Sequence, residues 1–193
     1  MEQNGRLYPS FVVPIPRIQA ELEEVEKENI AHEFYFLQWT FHSSPPIPTP
    51  SSDDPFVIPK SKASSSSAST NPQTSIILFT PLQEYKLRNS FATPYLILNM
   101  YTDLAETHGI VLLRGEITPS TGSTPSLGLG DTDRYMLSQA DAQLLAMTLQ
   151  KFYLWNKNGS SEMMTGEKLL RTFHQNPQEF EWQELLKISN TTI

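Results

Sequence analysis

Hydrophobic positions along the chain change their period several times, and each change marks an element. Phe11 to Arg17 is apolar but carries Pro14 and Pro16, whose fixed φ and missing N–H predict an extended path. Ile18, Leu22, Val25 and Asn29 or Ile30 then recur at helical spacing, with glutamates on the other faces, which predicts a solvated acidic helix. In Glu33 to Phe41 the pattern alternates: Phe34 and Phe36 point one way, Tyr35, Leu37, Trp39 and Phe41 the other. Apolar side chains on both sides predict a central strand covered twice. Ser75 to Thr80, Pro94 to Tyr101 and Ile110 to Ile117 read as further strands. Pro81 opens a short helix through Asn89, and Gly109 stops a helical stretch over Thr102 to His108.

The last third turns helical. Ser138 and Asp141 resemble a capping box, and Ala142, Leu145, Leu149 and Phe152 form one apolar stripe behind it. Glu167 to Phe173 is expected as a last strand, Asn176-Pro177 as a turn, and Glu181 to Ile188 as a terminal helix. The order predicts a single α+β domain: a mainly antiparallel curved sheet of about five or six strands, flanked by helices. Residues 1–10 are expected as an N-terminal tail and 11–193 as the domain. A flexible insertion at 43–74 interrupts it, where 10 Ser and 7 Pro leave too little apolar area to offset ordering entropy. Its apolar island, Asp54 to Pro59, is expected to dock back on the domain, and Thr118 to Asp131 reads as a second loop.

Composition narrows the function classes. The 193 residues are 38% hydrophobic, enough for one core, and the net charge of −7 has no basic patch that would suit nucleic acid. With no cysteine, disulfides, thiolate catalysis and iron–sulfur ligation drop out. No apolar run approaches the roughly 20 residues of a membrane-spanning helix, so no membrane insertion is expected. Met1 to Ser10 has Arg6 as its one cation and reads as neither signal nor transit peptide, so any leader is expected to have been removed.

Catalytic signatures are missing in the same way. There is no P-loop, nucleophile elbow or His-Glu-x-x-His helix, and Gly128 and Gly130 lead into Asp131 instead of a helix. Asp103 with His108 could form an acid–base pair, but His108 also suits the C-terminal end of a short helix, where an imidazolium favours the dipole. Asp131 and Asp133 lack the remaining ligands of a calcium loop. No enzyme activity, cofactor or metal is expected. The aromatic residues, 10% of the chain, are chiefly core material.

Several segments, in order, resemble one family. Phe11 to Arg17, Glu33 to Trp39, Phe79 to Lys86, Phe91 to Tyr95, Leu104 to Leu112, Ser138 to Leu144 with Phe152-Tyr153, and Thr172 to Phe180 are similar to the ATP eleven family, fungal members included. These are assembly chaperones of the mitochondrial ATP synthase catalytic head. The resemblance covers about two thirds of the chain and has no counterpart for the 43–74 insertion. It implies a matrix protein, acting as a monomer, that binds the unassembled β subunit, shields its α-facing interface and is displaced by the α subunit. Pro14, Pro16, Arg17, Phe91 and Tyr95 are the candidate contact residues. The alternative is a lipocalin-like or cystatin-like binder of a small apolar ligand in a closed pocket.

Overall fold

The structure is a computed structural model that describes residues 1–17, 31–43, 74–88, 92–120, 135–155 and 161–190, with side chains of the last segment from Thr165 onward. Its frame is a five-stranded antiparallel meander in chain order: β1 (Ser10–Arg17), β2 (Ala31–His42), β3 (Thr74–Pro81), β4 (Leu96–Tyr101) and β5 (Leu112–Ile117). Each strand pairs with its sequence neighbour, so the long connections at 18–30 and 43–73 join adjacent strands without changing the order. Their predicted contents, the acidic helix and the Asp54 to Pro59 island, lie outside the described residues.

Register divides the sheet into two faces. Phe11, Leu37, Phe79, Leu96 and Ile117 form one cross-strand row, and Trp39, Ile77, Leu98 and Gly115 form the next on the same side. This inner face is roofed by three helices: α4 (Gln139–Tyr153), α5 (Ser161–Gln175) and α6 (Trp182–Asn190). The Phe11 ring meets Phe152 of α4 at 4.8 Å, Phe173 of α5 at 5.2 Å and Phe180, ahead of α6, at 6.2 Å. Leu145, Leu149, Phe152 and Tyr153 of α4 are fully buried, each contributing about 1.5–3 kcal/mol of transfer free energy for the larger apolar side chains. The Ser138 hydroxyl accepts a hydrogen bond from the Asp141 amide at 3.1 Å, which is the N-cap the sequence pattern anticipated.

Two short helices occupy connections: α2 (Leu82–Arg88), directly after β3, and α3 (Ala105–His108) between β4 and β5. Gly109 ends α3 in the left-handed region at φ 67°, where a glycine carries no steric penalty. The strand expected over Glu167 to Phe173 is instead part of α5. Leu169, Leu170 and Phe173 have the i, i+1, i+4 spacing of a helical stripe, and Arg171 meets Glu167 at 2.6 Å one turn away. Among the described residues the sheet therefore has five strands.

Residues 1–10, expected as a tail, carry a sixth helix, α1 (Glu2–Leu7), docked on the sheet. Gly5 lies directly on the Trp39 indole, where an added Cβ would come within 2.5 Å of a ring carbon. Asn4 donates to the Tyr153 carbonyl at 2.9 Å, and the Tyr153 hydroxyl donates to the Tyr8 carbonyl at 2.9 Å. The Arg6 guanidinium sits 4.1 Å above the Phe41 ring.

Candidate partner-binding surface

Alternate residues of the same strands build the opposite, outer face. Leu78 and Ile97 are cross-strand neighbours there, flanked by Gln38 and Glu116, and the next row holds Ile76 beside Thr40 and Asn99. The apolar members of these rows are half-buried, unlike the sealed inner face. One end is covered: Tyr85 of α2 meets Phe36 edge-on at 5.9 Å, and Trp182 of α6 meets Phe34 edge-on at 6.2 Å. Both covering rings are themselves exposed, at 41% and 48%. The result is a shallow apolar strip with an aromatic end and a polar border.

At the end of β1, on the side of the sheet that α4 covers, lies a network of charges. The Arg17 guanidinium donates to Glu33 of β2 and, at 2.8 Å, to Asp141 in the first turn of α4. Burial would lower its pKa, but the hydrogen bonds to Asp141 and Glu33 outweigh that and raise it further. Tyr35, beneath this network, is raised by burial first and by the Glu33 carboxylate second. A groove of about 540 Å³ opens beside Arg17, lined by His32, Phe34, Leu82 and Lys86 among others. Its mixture of cations and open edges suits a protein surface better than an enclosed apolar ligand.

Tyr95 stands just ahead of β4 and donates its hydroxyl to Glu84 of α2 at 3.0 Å. Glu84 is only 7% exposed, and its second oxygen faces the Arg88 Nε at 3.0 Å as an ion contact without hydrogen-bond alignment. Burial, then the hydrogen bond to Glu84, raises the Tyr95 pKa. Of the residues nominated from sequence, Pro14 and Pro16 are buried in β1, Arg17 is held by its two carboxylates, and Tyr95 is half-buried against α2. Phe91 lies outside the described residues. Sequence reasoning did not single out Ile76, Leu78 and Ile97, although their alternation with Ser75, Ile77 and Leu98 places them opposite the core.

Asp103 and His108 are both exposed, and the His108 Nδ1 is 2.8 Å from the Thr107 hydroxyl. Among the described residues, no group of three or more His, Asp or Glu side chains is placed to hold a metal ion, and no helix is long and apolar enough to cross a membrane.

A family model for the ATP11 protein matches residues 1–186. The chain is also similar to the Schizosaccharomyces pombe protein named atp11, mitochondrial, with 28% identity over 158 residues. That match takes in 82% of this chain and 37% of the yeast protein, so the chain spans little more than a third of that relative's length. With almost the whole of its length matched, this chain belongs to the ATP11 protein family.

Proposed function

We propose that this chain is a chaperone of mitochondrial ATP synthase assembly that acts in the matrix. It binds the unassembled β subunit, covers the interface normally buried against the α subunit, and yields when α arrives. The observation that carries this reading is the family match over residues 1–186, supported by similarity to a protein named as mitochondrial. A subunit without its neighbours exposes apolar surface that aggregates unless covered. Covering it takes no bond making or breaking, so the protein needs no active site, cofactor or metal.

The outer face of the sheet is the proposed contact. Ile76, Leu78 and Ile97 offer apolar area outside the filled core, and Trp182 and Tyr85 supply aromatic anchors of the type that dominate interface energetics. Pro14, Pro16, Arg17, Phe91 and Tyr95, nominated from sequence, are proposed to support the same contact, with Pro14 and Pro16 acting from buried positions in β1. Because α must displace the chaperone, the contact is smaller or weaker than the final subunit interface. The filled inner face supports this reading over a closed-pocket binder of small ligands.

The test is suppression of aggregation when denatured β subunit is diluted into buffer containing this chain. The double variant Leu78→Glu/Ile97→Glu, checked for retained folding, is expected to lose protection while Gln38→Ala keeps it. Full protection by a folded double variant would remove the outer face from the contact.

A further inference from the structure

The sheet ends in two unlike edges. On β1, Pro14 and Pro16 occupy alternate positions, so both missing donors fall on the same side of the strand, and only the outer side leaves the ladder with β2 intact. That edge is also packed by α4 and α6, and all six of its central residues are buried. It cannot take another strand. On β5 there is no proline, most residues are exposed, and among the described residues no strand lies beyond it. An open edge presents a row of free donors and acceptors, ready to pair.

What would pair there is written in the strand. Leu113-Arg114-Gly115-Glu116-Ile117 reads, about its central glycine, as apolar, cation, no side chain, anion, apolar. Arg114 and Glu116 lie on the outer face, 66% and 48% exposed, and in one chain they pair with each other at 2.9 Å. Leu113 and Ile117 lie on the inner face and pack against the core. Antiparallel pairing with an identical strand, about a two-fold axis at Gly115, sets Arg114 opposite the second copy's Glu116 and the reverse. It also sets Leu113 opposite Ile117 twice. Opposite charges and apolar partners then face each other on either side of the central glycine pair, on the correct faces. A register shift of two residues sets Arg114 against the second copy's Arg114 or Thr118, and a shift of one turns the second sheet over. Gly115 itself leaves no room for a side chain, since a Cβ would press within 3.2 Å of Leu98.

We propose that a second copy of this chain pairs with it through β5, joining the two meanders into one continuous antiparallel sheet. A dimer, in place of the monomer expected from sequence, closes the β5 edge as the prolines close the β1 edge. The outer faces of the two copies stay open, so the inference stands apart from the reading of the client.

Sedimentation equilibrium on the protein alone, over a concentration series, tests it. A reversible dimer is expected. Arg114→Glu sets like charges opposite each other twice and is expected to weaken dimerisation about ten-fold, as is Glu116→Arg. The double exchange Arg114→Glu/Glu116→Arg restores the complementarity and is expected to restore dimerisation, with circular dichroism confirming the fold of each variant. A chain that is monomeric throughout overturns the proposal, as does a dimer indifferent to single reversals. A monomer whose capture of β subunit is lost in Arg114→Glu gives the edge to a client strand and also overturns it.

Discussion

At the scale of single residues, one close approach depends on a missing side chain. Gly5 lets α1 lie flat on Trp39, and a methyl group there would collide with the indole, which is fixed in the core at 4% exposure. Gly5→Ala is expected to lower stability by about 1–3 kcal/mol, the usual cost of overpacking, and to raise hydrogen exchange at the Tyr8 amide as α1 lifts. Nothing in the hydrophobic pattern of residues 1–10 marks this docking. The segment is too short for a helical period to register, and its constraint lies in a contact with a residue more than thirty positions away.

The tyrosines set a limit at high pH. Burial raises the pKa of Tyr35, Tyr95 and Tyr153 above the ordinary 10.0, with carboxylates adding to the effect at the first two. Each group therefore favours the folded state while it is protonated. That stability is fully present below pH 10 and is lost as pH climbs towards the raised folded-state values, because the unfolded chain ionises first. Chemical denaturation across pH 9 to 12 is expected to show falling stability, with a shallower fall in Tyr153→Phe. An unchanged slope in that variant would assign the alkaline loss to other groups.

At the scale of elements, the strands were readable where alternation coincided with burial on one or both faces. β2 declared itself because Tyr35, Leu37 and Trp39 alternate with Phe34 and Phe36, and both sets are at least half-buried. β1 was readable as extended, while its role as the closed edge followed only from its pairing. Within α5, Glu167 to Phe173 is too short a window to separate two periods: Leu169 and Leu170 suit a doubly buried strand as well as a helix. The Ser138 cap was visible in sequence, and its strength can be measured. Ser138→Ala is expected to cost about 1 kcal/mol in denaturant unfolding, since it frees the Asp141 amide and loosens the turn that presents Asp141 to Arg17. Arg17, a candidate contact residue in sequence, is held by two carboxylates. Its carboxylate partners come from β2 and α4, 16 and 124 residues away in sequence, beyond the reach of local pattern.

At the scale of the whole molecule, one sheet does two jobs. Its inner face is closed by α4, α5 and α6 and supplies stability. Its outer face is left with apolar residues between polar and charged borders, and is the proposed contact area. The fold class could be read from the order of elements, and the family from seven ordered segments. The proposed contact face could not, because Ile76, Leu78 and Ile97 read as core until their partners are known.

The central claim is that the protein holds a β subunit before assembly and releases it to α. A pull-down of this chain from mitochondrial extract, analysed for bound ATP synthase subunits before and after addition of purified α, tests it directly. The account predicts that free β subunit is retained, assembled catalytic heads are not, and α elutes the bound β. Retention of assembled enzyme, or a bound fraction without β, would contradict it.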